Sequence, residues 1–229
     1  MAKVKFSALI SEMRNKLNGS VFSRNRGGAY LRTKVTPTNP QTASQVQARS
    51  LLTQFSQAWR SLTEAQRTAW RSVVDQWSTT DVFGDVVNPS GATLFIRLNI
   101  NISLAGGVVI NTPPTPSGAI ALTSIAITSA VAVPAFDVAF TPSVVPANHA
   151  VFLESTPMVS PGINNANSRF RKIAVLAPAE TSPYDGLAAQ IAKFGALVQG
   201  QKVLVRAKFI RMDTGETSQR LIAQTIVSA

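Results

Sequence analysis

The amino-acid sequence predicts an α+β protein: an N-terminal basic arm and β-hairpin, a helical hairpin, and then an all-β sandwich of the immunoglobulin or fibronectin type. Three observations carry this prediction. Apolar residues recur at helical spacing over residues 41–77. Six short apolar runs separated by Pro, Asn and Gly follow residue 119, which is the pattern of a sandwich. A stiff, proline-rich stretch lies between these halves. The expected domains are 1–40, 41–111 and 119–229, with 112–118 as a linker.

The composition is that of a folded protein, because 45% of the 229 residues are hydrophobic. Only 14% are charged, against about 25% in an average domain, and such surfaces are common where neighbouring subunits cover them. The absence of cysteine excludes disulfides and thiolate metal sites. The chain does not start with an apolar run typical of a secretory signal, and Pro and Asn interrupt the uncharged stretch between Arg97 and Asp137. We therefore expect a soluble protein with no membrane partner.

Positive charge is concentrated in the N-terminal third of the chain. The net charge is +11; residues 1–77 carry twelve Lys or Arg against three acidic residues, whereas residues 119–229 carry nine against six. A basic end on a nearly neutral body indicates an anionic partner, which is nucleic acid, an acidic protein surface or a membrane surface.

The first forty residues are predicted to form a basic arm and a hairpin. Residues 1–19 have an apolar stripe at helical spacing and are expected to form a short helix that needs a partner. In residues 20–35, two β-forming segments flank Arg26-Gly27-Gly28, whose glycines suit a tight turn. The hairpin cations either grip phosphates or carboxylates, or are solvated residues that keep an edge strand from pairing. One hairpin face is expected to carry Arg24, Arg32 and Lys34.

Two helices with a very short connection are predicted next. Asn39 is the expected N-cap of the first helix, with Pro40 at its first position. Thr63 and Gln66 have the spacing of a capping box, which marks the start of the second helix. The three tryptophans lie on apolar faces and are expected in a core or a subunit interface. A DNA-reading helix-turn-helix is the alternative, but its usual turn is longer than this connection.

The remaining elements are predicted from local patterns. Residues 78–89 are expected to be a loop or short strand around Val82-Phe83-Gly84. Residues 92–104 alternate as in a strand, but Ser90 as a cap and Gly106-Gly107 as a stop favour a helix. GLAAQIAKFGAL is either a strand or a short helix, and Asp213–Glu216 is expected to be a hairpin turn. The six predicted strands are IALTSIAIT, AFDVAFT, AVFLEST, RFRKIAVL, KVLVRAKFIRM and RLIAQTIVS.

Little in the sequence points to catalysis. His149, the only histidine, is expected in a turn, with no second histidine or cysteine to share a metal. Asp81 and Asp85 lie in a loop-like region where nothing aligns them for acid–base work. Residues 195–202 resemble a phosphate loop but lack the Ser or Thr after its lysine. We therefore expect neither an enzyme nor a cofactor. A second basic cluster is interpreted as a solvated strand face: Arg169, Arg171 and Lys172.

Several motifs occur together in the N-terminal half. They are a Gly–aromatic–basic hairpin, the stretch Asn39-Pro40-x-Thr42-x-x-Gln45-x-x-x-Arg49, and the pattern Trp59…Leu62-Thr63…Gln66-Arg67…Trp70. In these motifs the chain resembles structural proteins encoded by tailed bacteriophages. Residues 88–99, 156–162 and 193–207 are similar to such proteins as well. The resemblance implies a virion component without indicating which one.

These features predict a non-enzymatic virion protein, located in capsid decoration, the head–tail junction or the tail. It is expected to form a homo-oligomer and to contact other virion proteins. Two alternatives stay open. One is a nucleic-acid-binding protein that uses residues 1–77 against phosphates. The other is a receptor- or carbohydrate-binding adhesin, for which Phe83 and Tyr184 are the available aromatics. The residues expected at the partner interface are Arg14, Lys16, Arg24, Arg26, Arg32, Lys34, Trp59, Trp70 and Trp77.

Overall fold

The computed structural model describes residues 2–25, 28–80 and 86–229, and the expected α+β class is confirmed by its helices and antiparallel sheets. Contacts divide the chain into two compact units, Met1–Val46 and Gln47–Ala229. The helical segment and the later sheets lie together in the second unit, and the expected domain limits stay predictions. Within the described residues, no helix has the length and apolar character needed to cross a membrane.

The first unit is built around the predicted hairpin. Its strands run antiparallel, with Ser20 opposite Thr33 and Asn25 opposite Gly28. Two further strands extend the hairpin on either side, giving the order β1-β4-β3-β2. The expected turn residues Arg26 and Gly27 lie outside the described residues. The strands are β1 (Ala2–Lys3), β2 (Asn15–Leu17), β3 (Ser20–Asn25) and β4 (Gly28–Thr33).

The N-terminal arm does not form the predicted helix. Asn15 and Asn18 have φ angles of 86° and 50°, in the left-handed region that asparagine tolerates and a right-handed helix excludes. A short helix alone is marginal in water, whereas both edges of the hairpin offer unpaired backbone groups. Backbone pairing with β3 and β4 therefore outweighs the helical spacing of the apolar residues.

Three helices follow close to the predicted positions: α1 (Ala43–Ser61), α2 (Glu64–Ser72) and α3 (Gly91–Ala105). The capping box is confirmed, because the Gln66 N–H donates to Thr63 Oγ1 at 3.3 Å and the Thr63 N–H donates to Gln66 Oε1 at 3.0 Å. The helix prediction for residues 92–104 is confirmed too. Ser90 Oγ accepts from the Thr93 N–H, and Gly106 ends α3 with a φ of 82°.

The start of α1 was predicted too early. Gln41 has a φ of 47°, so the helix cannot run continuously from Pro40. Thr42 makes the capping contacts instead of Asn39: the Gln45 N–H donates to Thr42 Oγ1 at 3.4 Å, and Gln45 Oε1 accepts from the Thr42 N–H at 3.2 Å. Thr-x-x-Gln is the same capping box that begins α2.

The helices share an apolar core around Trp70 and Phe95, both fully buried. Their rings meet edge to face with centroids 5.4 Å apart, and Trp70 Nε1–H donates to the Asn111 carbonyl oxygen at 2.9 Å. This geometry buries a large aromatic surface while satisfying its polar atom. Other buried members of the cluster are Phe55, Leu62, Trp77, Leu94 and Leu98.

All six predicted strands are present. The segment GLAAQIAKFGAL, for which a strand or a helix was expected, forms a helix, and a short additional strand precedes it. A two-stranded ribbon, β5 (Thr79–Thr80) with β6 (Val86–Val87), comes before them; Val82-Phe83-Gly84 lies outside the described residues. The later elements are β7 (Ser124–Ala130), β8 (Ala135–Thr141), β9 (His149–Ser155), β10 (Arg171–Leu176), β11 (Tyr184–Asp185), α4 (Leu187–Phe194), β12 (Lys202–Arg211) and β13 (Leu221–Ile226).

These strands form two antiparallel sheets with the orders β11-β8-β7 and β10-β9-β12-β13. Alternate side chains from both sheets enter one core, among them Phe136 and Val138 of β8, Leu153 of β9 and Val205 of β12. Period-two alternation directs every second side chain of a strand into this core, and the central strands β9 and β12 are also buried over part of their other face. The expected turn at Asp213–Glu216 connects the antiparallel pair β12 and β13.

The turn after β12 also fixes α3 to the sheets. Asn101 Nδ2 donates to the Gly215 carbonyl oxygen at 2.9 Å. A Cβ at Gly215 would lie 2.9 Å from the Leu98 carbonyl carbon, closer than real Cβ contacts allow. The Glu216 carboxylate accepts from the backbone N–H of Gly118 at 3.0 Å, so the end of the proline-rich stretch is bound to the same turn. These contacts explain why helices and sheets form one compact unit.

Candidate subunit interface

One face of the N-terminal sheet is basic. Residues directly opposite each other in an antiparallel sheet share a face, and the register places Lys16, Val21 and Arg32 in one row. Lys3 and Tyr30 belong to the next row on the same face. The predicted residues Lys16 and Arg32 are therefore brought together, on either side of the buried Val21.

The opposite face of this sheet carries its large apolar side chains together with polar ones, among them Ser20 and Thr33. Leu17 begins it, and the pair Phe22–Leu31 forms its central row. Arg24 lies on this face, opposite Ala29, so the prediction that Arg24 and Arg32 share one face is wrong. Side chains of a strand alternate between its two faces. Arg24 is two residues after Phe22 in β3, so it lies on the same face as Phe22.

The first unit has almost no core of its own. Among its described residues, Val21 is the only buried apolar side chain. Leu9 is 96% exposed and Leu17 is 61% exposed. A sheet needs a covered hydrophobic face for independent stability, and the described residues of this unit provide little of one.

Three other predicted cations of this unit are exposed: Arg14, Arg24 and Lys34. Glu12 accepts from Arg14 at 2.9 Å and lies 3.8 Å from Arg24, and exposed pairs of this kind add little stability. Lys34 follows β4, where its backbone N–H donates to the Gly19 carbonyl oxygen at 2.8 Å. Arg26 lies outside the described residues.

The tryptophans are mostly interior residues. Trp70 is fully buried and Trp77 is 8% exposed, both in the core of the second unit. Trp59 is half-buried, with its ring centroid 5.6 Å from that of Phe95. Of the three, Trp59 alone presents part of its ring to the surface.

The prediction that His149 lies in a turn is wrong. The residue begins β9 and is buried. Its Nε2 accepts from the Ile120 N–H at 3.3 Å, so Nδ1 carries the proton and donates to the Ala147 carbonyl oxygen at 2.9 Å. The ring also meets Phe209 edge to face. These contacts give the histidine a structural role. In the described part of the chain, no group of three or more His, Cys, Asp or Glu could hold a metal ion.

Three polar residues of α2 contact groups at the start of their own helix: Gln66, Arg67 and Arg71. Gln66 is used in the capping box. Arg67 and Arg71 both bind Glu64, at 3.0 Å and 2.7 Å. The hydrogen bond from Arg71 holds the pKa of Glu64 below its usual value, against the opposing effect of desolvation. The arginines available for base contacts are thus paired within their own helix.

A second basic surface lies on the face of the four-stranded sheet that is turned away from the core, and of its cations only Lys172 is part of the basic cluster predicted from sequence. Val151, Leu153 and Phe209 enter the core, so the intervening residues of β9 and β12 lie on the opposite face of the sheet. Part of that face is covered, because Leu204 and Ile210 are buried in two smaller clusters. Arg206 and Lys208 lie on this face of β12. The predicted strand KVLVRAKFIRM contains a sequence signal for this surface. Lys202, Arg206 and Lys208 are separated by even numbers of residues, so they lie on the same face of the strand.

Comparison with known proteins gives no relative: no family model, curated protein or solved structure matches the chain.

Proposed function

We propose that this chain is a structural virion protein of a tailed bacteriophage that acts through contacts between subunits. The observation that carries the proposal is the N-terminal sheet, which has one basic face, one face with its large apolar side chains and a single buried apolar residue, Val21, among its described residues. The phage assignment is supported by the resemblance of the motifs in residues 19–77. Capsid decoration, the head–tail junction and the tail are the candidate locations.

The exposed apolar residues of the first unit support a protein partner. Burying apolar surface contributes about 25 cal/mol per Å², and a monomer gains nothing from leaving Leu9 and Leu17 in water. Scattered exposed apolar residues are ordinary, but here they belong to a unit that lacks a core. We infer that another subunit completes this unit, and that the chain forms a homo-oligomer.

The basic face is better matched by a different protein than by a second copy. Residues 1–46 carry eight Lys or Arg against one Glu, and residues 47–229 carry fourteen against ten. Both parts of the chain are therefore positively charged, and like-charged surfaces repel. An acidic surface of another virion protein suits the row formed by Lys16 and Arg32.

We assign the two later sheets to the immunoglobulin or fibronectin class of sandwich. The support is the distribution of strands: the first, second and fifth (β7, β8, β11) form one sheet, and the third, fourth, sixth and seventh (β9, β10, β12, β13) form the other. Immunoglobulin-like sandwiches divide their strands in a comparable way, with an extra strand beside the C–F–G sheet in variable-type domains. The helix α4 before β12 is an insertion in this scheme.

The assembly proposal is tested by light-scattering mass after size exclusion of nuclease-treated, full-length protein. We expect a defined oligomer whose mass falls in the double variant Leu9→Ser, Leu17→Ser. The matched control is Val133→Ser, since Val133 is 78% exposed in the second unit. A full-length chain that is monomeric at every concentration would contradict the homo-oligomer. Mass spectrometry of purified particles tests the virion assignment.

The nucleic-acid alternative is supported by the basic face of the N-terminal sheet, and the same samples test it. Six phosphate contacts predict a log–log salt slope of about −5 on duplex DNA. A monomer that shifts onto DNA at low salt with such a slope would replace the assembly proposal. The adhesin alternative has less support, because Tyr184 packs against the sandwich core and Phe83 lies outside the described residues.

A further inference from the structure

We propose that the outer face of the four-stranded sheet is a second docking surface, which binds the carboxylates of an acidic partner protein. The surface consists of four cations, hereafter the basic band: Lys172, Arg206, Lys208 and Arg220. The inference rests on the proposed function in one respect, namely that the chain works by contacts with other proteins.

The strand register brings the basic band together. Lys172 of β10 lies opposite Glu154 of β9, and Glu154 lies opposite Arg206 of β12. Lys208 is two residues along β12 on the same face, and the pairing of β12 with β13 continues toward Arg220. Neighbouring strands are about 4.8 Å apart, so the band crosses the sheet within about 14 Å.

The carboxylate of Glu154, which lies between Lys172 and Arg206 in the strand register, is already paired. Glu154 accepts two hydrogen bonds from Arg206, at 2.6 Å from Nε and 3.0 Å from Nη2. Both side chains are largely buried, at 14% and 17% exposure, and the Arg206 guanidinium also lies 4.4 Å from the centre of the Phe170 ring. Glu154 is thus already paired with Arg206, and in the described part of the chain Lys172, Lys208 and Arg220 form no ion pair.

Lys208 is the cation of the basic band that a bound anion would stabilise most. It is half-buried, and its ammonium lies 5.7 Å from the centre of the Phe152 ring. Among the described residues, no oxygen accepts a hydrogen bond from it. Burial first, and the positive charge of Arg220 next, lower the pKa of Lys208; Arg206 acts in the same direction and Glu154 opposes it. A partly desolvated cation beside like charges is stabilised by an incoming anion.

The number of cations in the basic band favours an acidic protein over nucleic acid as its partner. A DNA-binding protein commonly makes about six to ten phosphate contacts, whereas the band offers three cations that have no ion-pair partner among the residues that the structure describes. A second copy of this chain is also a poor source of carboxylates, because most of its own are engaged locally. Examples among the described residues are Glu12 with Arg14, Glu64 with Arg71, Asp213 with Arg211, and Glu216 with Gly118.

The experiment is trace acetylation of the full-length protein by an N-hydroxysuccinimide ester, with each lysine quantified by mass spectrometry. The amine must be unprotonated to react, so Lys208 reports the site directly. Octaglutamate at low salt is the probe, and Lys193, an exposed lysine of α4, is the internal control. We expect octaglutamate to slow acetylation of Lys208 several-fold and to leave Lys193 unchanged, because a bound anion both covers the amine and favours its protonated form.

A pair of variants tests the composition of the site. Arg220→Gln is expected to remove most of the protection, whereas Arg60→Gln, at an exposed arginine of α1, is expected to keep it. Equal protection of Lys208 and Lys193 would overturn the proposal. Protection by a twenty-nucleotide poly(dT) without protection by octaglutamate would overturn it in favour of nucleic acid. Neither result depends on the oligomeric mass, which tests the Met1–Val46 unit, so the two proposals fail independently.

Discussion

Replacing Gly215 by alanine tests the junction that joins α3 to the sheets. Gly215 has a φ of 76°, and a Cβ there would press on the backbone of Leu98. Gly118 and Gly200 have nearly the same φ, 76° and 77°, but a Cβ at either would meet no atom within 4 Å. The three alanine variants therefore share the conformational cost and differ in the steric one.

The shared cost is small. Left-handed backbone costs a non-glycine residue about 1–2 kcal/mol, and the loss of unfolded-state freedom returns about 0.4–1 kcal/mol. The controls Gly118→Ala and Gly200→Ala are therefore expected to lose about 1 kcal/mol or less of unfolding free energy.

Gly215→Ala adds the cost of moving the turn away from α3. Overpacking costs about 1–3 kcal/mol, and the hydrogen bond from Asn101 to the Gly215 carbonyl, about 1 kcal/mol, is lost as the two separate. The variant is thus expected to unfold at about 2–4 kcal/mol lower free energy than Gly200→Ala. For a chain of this size that corresponds to a Tm about 5–15 °C lower.

Urea unfolding measures these differences, with two optical probes on each variant. All three tryptophans lie in residues 59–77, so their fluorescence reports the helical cluster, while far-UV circular dichroism reports helices and sheets together. We expect the two transitions to coincide in the wild type and in the controls, and to separate in Gly215→Ala if the junction carries the cooperativity. If Gly215→Ala is no less stable than Gly200→Ala, the contact between the turn and α3 does not hold the unit together.

Two further predictions concern polar contacts, one of them buried and one at the surface. Asn99→Ala should lower the free energy of unfolding in urea by about 2–4 kcal/mol. The reason is that the fully buried Asn99 donates to the Ile110 carbonyl oxygen and accepts from the Ile110 N–H at 2.8 Å. A loss of stability no larger than that of Asn101→Ala, about 1 kcal/mol, would contradict this. For Asp213, burial alone raises the carboxyl pKa, but the hydrogen bond and charge of Arg211 outweigh it and the net pKa is lowered. A lowered folded-state pKa stabilises above the unfolded pKa of about 3.9, and this stability is lost as the pH falls through the folded value. Asp213→Asn should therefore lose less stability between pH 5 and pH 2 than the wild type, and identical acid profiles would refute the role of this pair.

Much of the fold could be predicted from sequence because its signals are local. The capping box at Thr63 and Gln66, the cap at Ser90 and the stop at Gly106 each act within one helical turn. The strands after residue 119 are marked by alternation and by turn residues beside them. Such signals depend on neighbours along the chain and survive without knowledge of the tertiary structure.

The candidate interface was predicted only in part. The cations of the N-terminal hairpin were identified, but their distribution over two faces was not, since Arg24 follows Phe22 onto the opposite face. Lys208 was not identified, because its environment depends on Arg220 and Glu154, which lie on other strands. Register, and not composition, decides which charges meet.

The sequence by itself determined the α+β class, the three helices apart from the start of α1, the six later strands and the concentration of positive charge in the first 77 residues. The tertiary structure decided that the N-terminal arm pairs as strands, that His149 is buried, and that the turn at Gly215 joins α3 to the sheets. The physical reason is the reach of each interaction. Periodicity and caps act over three or four residues, whereas the hydrogen bond from Asn101 to Gly215 joins groups 114 positions apart, and only the packed chain brings them together.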